Sequence, residues 1–341
     1  MTNFKRSVRF LLASTLFAAV APVTAEPLPE KWSEEVFLRN RPDPRFSIVR
    51  KSRDLSTTHT VIGEPTFYEV RKEDTFLDIA RFHGLGQNEM VEANPGLHRF
   101  GPPVGQMILL PTERVLPDTS YEGIKINIPE MRLYYFRPAP DGTALVATFA
   151  VGLGRDDWRT PTAPFKVIGK SENPTWVLPE SVKKEWREKG KYAPVSIAGG
   201  SPENPLGLFR LELSLPMYRI HGTNMPWGVG MQVSHGCVRL YPEDIERLFP
   251  LVPIGAPGEF LYQPVKVGAR DGRIYLEVHK DIYSQIPGLH SHAEALIEAR
   301  GWSDLVDPRR VALTVEEQSG VPMDVTLEDY ERGSGNEKIG F

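Results

Sequence analysis

The chain has a single cysteine, Cys237, among its 341 residues, so no internal disulfide can hold it together. At this length a substantial core can be buried without one. An excess of either charge is also missing: 40 Lys and Arg face 44 Asp and Glu, a formal net charge of −4. That balance shows no basic face and argues against a nucleic-acid partner. With 40% apolar and 25% charged residues, the composition excludes intrinsic disorder, collagen, a coiled coil and a polytopic membrane protein. At roughly 150 residues per domain, the length predicts about two domains with extensions.

One sustained apolar run is present, and it lies at the start. Lys5, Arg6 and Arg9 precede Phe10 to Ala21, and Val23-Thr24-Ala25 then offers small residues before Glu26. The segment 1–25 reads as an export signal with cleavage after Ala25, since the run is shorter than the ~20 residues a membrane span needs. No cysteine stands near this point to carry a lipid, and no Arg-Arg pair marks the twin-arginine route, so the general secretory route is expected. Exported proteins meet an oxidising compartment in which cysteines are usually paired. An unpaired Cys237 is therefore an inert buried side chain, half of an intermolecular bridge, or a reactive thiol.

Residues 26–65 are rich in proline and charge with little periodicity, and read as a linker or loosely packed arm. Order is expected from residue 66. Phe67 to Val70 is strand-like, Asp74-Thr75 can cap a helix carrying Phe76, Ile79, Ala80 and Phe82, and Met90-Val91 continue a second helix ended by Asn94-Pro95-Gly96. Met107 to Pro111 is a second strand. After Pro117 the texture turns to β, with Ile124, Ile126 and Ile128 alternating with polar residues and Gly/Pro clusters separating further runs, as in a sandwich or barrel. Pro242-Glu243-Asp244 opens a helix with buried Ile245, Leu248 and Phe249. The expected fold class is mainly β with some α, with a helix near 292–300 and a frayed end from Glu331.

The stretch from Tyr218 to Leu240 carries the chemistry. A thiol attacks a carbonyl as thiolate, so a working Cys237 needs a nearby base and a lowered pKa. His235 is two residues away, and an extended backbone would put both on one face. His221 ends a strand-like run, and the Gly/Pro-punctuated segment 222–233 can loop back so that 234–240 lies beside it, within cross-strand reach. That favours His221 as the base. Gly236 lets the backbone approach a substrate closely, and N–H groups there could meet an oxyanion. Arg239 adds a permanent positive charge that can favour the thiolate or hold a carboxylate. Ser234 reads as a turn-stabilising hydroxyl, His279 as structural, and His290, His292, Asp156 and Asp157 as solvated. Met225 and Trp227 are equally well a lid or core. A zinc site from His221, His235 and Cys237 lacks a fourth ligand.

Two resemblances attach to these residues. The strand-helix-helix-strand order at 66–112, with Tyr68, Val70, Asp74, Thr75, Ile79, Ala80, Asn94, Pro95, Gly105, Gln106 and Pro111, resembles a LysM module, which binds the glycan of peptidoglycan or chitin. The family usually has glycine where Glu73 stands, so the first turn is expected to adopt a conformation that a β-carbon tolerates. Ser234 to Arg239, S-H-G-C-V-R, with His221-Gly222 upstream, resembles the signature of the L,D-transpeptidases, the YkuD domain. Thr160-Pro161-Thr162, Asn173-Pro174-Thr175-Trp176, Asn204-Pro205-Leu206-Gly207 and His221-Gly222-Thr223-Asn224 support it, and Ala163-Pro164 departs where many relatives have a Gly-containing turn.

These resemblances imply a βααβ LysM-like domain at 66–112, a YkuD-type β-sandwich catalytic domain at 122–265 and a C-terminal extension at 266–341. Cys237 is then the nucleophile and His221 the proton acceptor and donor. The Gly222 carbonyl orients the imidazole, while Ser234, His235, Gly236 and Arg239 line the acyl site. The implied partners are peptidoglycan stem peptides and glycan in a Gram-negative periplasm, with no metal and no cofactor. Cys237 would attack the carbonyl of diaminopimelate in a stem tetrapeptide and release D-alanine. The acyl group would pass to another diaminopimelate, to an outer-membrane protein or lipoprotein amine, or to water, the last being an L,D-carboxypeptidase. The reading from another class is a non-enzymatic peptidoglycan-binding protein.

Overall fold

The computed structural model describes residues 32–39, 41 and 46–328; the export signal read at 1–25 and the frayed end lie outside them. Among the described residues, no helix is long and apolar enough to cross a membrane. The described residues begin with α1 (Glu34–Arg39), β1 (Ser47–Arg50) and β2 (Val61–Ile62). Next come β3 (Thr66–Glu69), α2 (Phe76–His83), α3 (Gln87–Ala93) and β4 (Met107–Leu110), the expected βααβ unit, and β5 (Arg114–Val115) returns to pair with β2. β3 and β4 pair antiparallel from Thr66↔Leu110 to Glu69↔Met107. The Thr75 hydroxyl caps α2 by accepting from Asp78 N–H, which explains why the helix starts there. Glu73 differs from expectation: it takes φ +72°, the left-handed region that favours glycine. The turn persists because the Asp74 carboxylate accepts from Arg71 N–H at 2.7 Å and from the Tyr68 hydroxyl at 2.8 Å.

The β-rich region contains β6 (Gly123–Asn127), β7 (Arg132–Pro138), β8 (Thr143–Ala150), β9 (Leu153–Gly154), β10 (Pro164–Glu172), β11 (Trp176–Val177), α4 (Glu180–Glu188) and β12 (Ser196–Ile197). β13 (Phe209–Leu213), β14 (Arg219–His221), β15 (Gln232–Ser234), β16 (Val238–Arg239), α5 (Pro242–Leu251) and β17 (Pro257–Leu261) follow. Nine strands connect in the order β1-β8-β7-β6-β17-β10-β13-β14-β16. The irregularity between Val167 and Gly169 bends β10, which pairs with β17 through its first residues and with β13 through its last. The bend turns the two halves onto one core, where Ile126, Leu133 and Phe149 from one half meet Leu211, Ile220 and Val238 from the other. α5 adds Ile245, Leu248 and Phe249 to that core, the stripe read from its spacing.

Part of the supposed arm is built in. β1 pairs with the edge of β8 from Ser47↔Val146 to Arg50↔Thr143, burying Val49. Arg41 donates to both Glu243 and Asp244 of α5 at 2.7 Å. Arg81 of α2 joins Glu243, at 3.1 Å, to Glu34 of α1, at 2.7 Å.

The last described elements are β18 (Val265–Arg270), β19 (Arg273–Val278), α6 (Leu289–Glu298), α7 (Pro308–Glu317) and β20 (Met323–Asp324), a unit with its own apolar core around Val267, Leu276, Ile297 and Trp302. Where this unit meets the nine-stranded sheet, a charged cluster is fully enclosed. Lys266 Nζ contacts Glu130, lies 2.7 Å from Glu277 and 3.3 Å from the Tyr134 hydroxyl. His279 Nε2 lies 2.5 Å from Glu277, and Glu277 accepts from Val115 N–H at 2.6 Å. Glu130, Glu277 and His279 come close enough to hold a cation, and the Lys266 ammonium occupies that role among the carboxylates.

The βααβ unit is joined to the β-rich region by backbone. Gln87 N–H donates to Val229 O at 3.4 Å and Asn88 N–H to Gly230 O at 3.3 Å. Gly230, at φ +78°, approaches so closely that a β-carbon there would stand 2.4 Å from Gly86 Cα and Gln87 N. The Tyr241 hydroxyl donates to Leu85 O at 3.0 Å, and Arg132 reaches Glu89 at 2.7 Å.

Candidate active site

β14 is the centre of the site. It pairs antiparallel with β13, setting Arg210 opposite His221, and parallel with β16, setting Ile220 opposite Val238 and His221 opposite Arg239. A parallel pair needs a crossover rather than a tight turn, and residues 222–237 supply it, with β15 pairing with β9 on the way. Ile220 and Val238 are fully buried in the core. Alternation then sends Arg219, His221, Cys237 and Arg239 to the other face. Carried one residue past β16, the same register sets Cys237 opposite Arg219 and diagonal to His221 on that face.

His221 is almost fully enclosed, and its Nδ1 lies 2.6 Å from the Gly222 carbonyl oxygen. A carbonyl only accepts, so Nδ1 carries the hydrogen and Nε2 keeps a lone pair. Burial and the Arg239 charge push His221 down to about 3, against the Gly222 carbonyl. The imidazole is therefore neutral at pH 7.

Cys237 is half-buried, with Sγ 3.5 Å from the Met217 carbonyl. Burial raises the thiol above its ordinary value of 9.0, although the Arg219 N–H and the charges of Arg219 and Arg239 oppose the rise. The lowered thiol pKa expected from sequence is thus not what the surroundings produce, because desolvation outweighs the arginines. The resting pair is a neutral thiol beside a neutral imidazole. Accordingly, alkylation of Cys237 by iodoacetamide is expected to keep accelerating with pH through 9. A plateau between pH 6 and 8 would instead reveal a preformed thiolate–imidazolium pair.

The remaining sequence-read residues divide by role. Ser234 Oγ donates to Cys237 O at 2.6 Å and accepts from Gly236 N–H at 3.1 Å, closing the turn before the cysteine. The Gly236 amide is thereby committed and does not face an oxyanion. Gly236 has φ +100°, and a β-carbon on it would stand 3.1 Å from the Tyr218 ring. That left-handed residue breaks the extended alternation by which His235 and Cys237 would share a face. His235 instead places Nε2 2.8 Å from Glu185 of α4 and meets the edge of the Trp158 ring. Arg239 is half-buried, and its Nε is enclosed with no acceptor among the described residues. Met225 and Trp227 are exposed, so the lid reading survives and the core reading does not.

Four neighbours escaped the sequence reading: Arg210, Arg219, Glu185 and the Met217 carbonyl. Arg219, two residues before His221, was findable from strand alternation. Arg210 and Glu185 arrive by long-range pairing and carry no local signal. Met217 holds φ +71°, a left-handed conformation unusual for its side chain.

The YkuD family profile, described as the L,D-transpeptidase catalytic domain, matches residues 122–267, and the LysM domain profile matches 68–111. The probable L,D-transpeptidase ErfK/SrfK of Salmonella typhimurium is 34% identical over 276 residues, spanning 78% of this chain and 88% of that protein. The probable L,D-transpeptidase YcfS of Escherichia coli K12 is 32% identical over 279 residues, 78% of this chain and 85% of its own. YbiS of the same strain, also named a probable L,D-transpeptidase, is 42% identical over 200 residues, 58% of this chain and 64% of that one. With relatives matched along most of their length and the catalytic profile lying over the His221 and Cys237 strands, the chain belongs to the L,D-transpeptidase family and carries a LysM domain beside its catalytic domain.

Proposed function

We propose that this protein is a periplasmic peptidoglycan L,D-transpeptidase in which Cys237 is the nucleophile and His221 its proton acceptor and donor. The observation that carries the reading is the parallel register of β14 and β16, which brings His221 and Cys237 to one face between Arg210, Arg219 and Arg239. Sγ attacks the diaminopimelate carbonyl of a stem tetrapeptide as its proton passes to His221 Nε2. The proton then goes to the departing D-alanine amine, and a thioester remains on Cys237. The Gly222 carbonyl holds the imidazole in the required tautomer throughout, in place of a carboxylate. Since Gly236 N–H is taken by Ser234, the Cys237 amide is the backbone donor assigned to the oxyanion, a contribution of about 3 kcal/mol in comparable sites. The arginines offer fixed charge for the carboxylates of the stem peptide. An amine then takes the acyl group, giving a 3,3 cross-link or attachment of an outer-membrane protein. The LysM domain holds the glycan, and the segment 1–25 directs export.

The test is incubation of the purified protein with disaccharide-tetrapeptide and, separately, with a carbapenem, followed by intact-mass and peptide mass spectrometry. D-Alanine release and a covalent adduct on Cys237 are expected. Loss of both leaves only a wall-binding protein. Products separate the acceptors by mass: cross-linked dimers for amine transfer, free tripeptide for hydrolysis.

A further inference from the structure

Transfer to an amine poses a proton problem that His221 alone does not solve. The acceptor arrives at neutral pH as R–NH3+ and ends as an amide nitrogen bearing one hydrogen, so it gives up two protons. One regenerates the Cys237 thiol as the S–C bond breaks and the N–C bond forms. The other must leave before the nitrogen can attack, because an ammonium has no lone pair. His221 is enclosed and tied to Gly222 O at 2.6 Å, which suits a proton shuttled within the site. It is badly placed to pass one to water.

We propose that His235 and Glu185 form a second proton-handling pair that serves the acceptor amine, His235 taking the first proton and Glu185 acting as its positioning residue. The inference rests on the reading of Cys237 as the acylated residue. Glu185 Oε2 lies 2.8 Å from His235 Nε2. With the carboxylate ionised, Nε2 carries the hydrogen and donates it, leaving the Nδ1 lone pair as acceptor. Lys189, 2.6 Å from Glu185, and the imidazole itself hold that carboxylate ionised at about 2. His235 is two residues from Cys237, so their Cα atoms are at most ~7 Å apart; the turn at Gly236 takes the ring off the face that Cys237 shares with His221, and in this proposal the acceptor approaches the thioester from the ring's side. The ring is also partly open, with 28% of its side chain exposed, so an imidazolium there can release its proton to water. Trp158, edge-on with ring centroids 5.5 Å apart, limits its rotation. The carboxylate comes from α4, which is anchored by buried Val182 and by the Trp176–Trp186 contact.

The balance is then complete. R–NH3+ gives one proton to His235, the free amine attacks the thioester carbonyl, its second proton passes through His221 to sulfur, and His235 returns its proton to solvent. Hydrolysis needs no such first step, because water already has its lone pair.

The experiment uses the full protein with disaccharide-tetrapeptide as both donor and acceptor, reading D-alanine release, cross-linked dimer and tripeptide in one time course. Glu185→Gln keeps the shape and removes the charge. It is expected to lower the dimer-to-tripeptide ratio about tenfold while the initial burst of D-alanine changes less than about threefold. His235→Gln should lower the ratio by ~100-fold, the scale of losing a general base. The double variant should lose no more than His235→Gln alone, since Glu185 acts through the ring. An unchanged dimer-to-tripeptide ratio in Glu185→Gln overturns the proposal, as does a parallel loss of burst and dimer, which would make Glu185 only a fastening for α4. An unmodified protein that gives no burst overturns both this inference and the assignment of Cys237.

Discussion

Alanine in place of His221 is expected to slow acylation of Cys237 by a carbapenem at least ~100-fold, the usual scale for loss of a general base, and Cys237→Ala to form no adduct at all. The reasoning starts from the raised thiol and the neutral imidazole. With the thiol above 9.0, little thiolate exists at pH 7, so attack requires that the proton leave as the S–C bond forms. His221 Nε2 is the lone pair available for it, because Nδ1 is held by Gly222 O. Without the imidazole, only the small preformed thiolate fraction reacts. The residual rate of His221→Ala should therefore climb about tenfold per pH unit up to the thiol pKa, whereas the unmodified protein shows a shallower dependence. Stopped-flow fluorescence or timed mass spectrometry reads both slopes. A variant that acylates at the normal rate would move the base elsewhere.

Replacing Lys266 with methionine is the change expected to weaken the fold most, by about 3–5 kcal/mol, because it leaves enclosed carboxylates without their ammonium. Glu130 and Glu277 both approach Lys266 Nζ, and neither has a solvent-exposed side chain. The triple variant Glu130→Gln, Glu277→Gln and Lys266→Met should recover much of the loss, since the penalty comes from unpaired charge. Melting monitored by circular dichroism checks both. If Lys266→Met melts within a degree of the unmodified protein, the cluster carries no such energy. The pH dependence has two limbs. Burial opposes ionisation of Glu130, but Lys266 and His279 hold its carboxyl below the ordinary 4.5. Its contribution is therefore present above 4.5 and fades as pH falls. His279 is raised to about 9, Glu130 and Glu277 outweighing burial. Its contribution is complete below the ordinary 6.5 and is lost as pH rises through about 9. The cluster is strongest between pH 4.5 and 6.5.

The sequence carried the site further than it carried the frame. Cys237, His221 and Arg239 could be singled out as candidates because thiol chemistry constrains residue types over a short span, whereas Gly222 and Ser234 entered through the family resemblance. Strands such as β6 and β8 were legible through alternation. β1 was not, because Ser47–Arg50 buries only Val49 and its pairing partner lies almost a hundred residues away. α4 was missed for a related reason: among its nine residues only Val182 is buried, so no apolar stripe announced it. Lys266 and Glu277 sit on strands where polar residues usually mark a solvent face. Here the catalytic sheet covers that face, and only the tertiary arrangement reveals them as interior charges. Glu73 went the other way, since a local turn network outweighed the conformational preference of its side chain.

The contact between Gly86 and Gly230 bears on how polymer meets enzyme. A wall-binding domain on a flexible leash raises local substrate concentration while leaving orientation free, and its benefit varies smoothly with leash length. Here the LysM domain is bonded, main chain to main chain, to the very crossover that separates His221 from Cys237. A glycan strand gripped by it would meet the strands that carry His221 and Cys237 at one angle, so only stem peptides at particular steps along the sugar chain could reach the sulfur. The spacing of cross-links would then be a property of the protein's own geometry, set as a jig sets the spacing of holes.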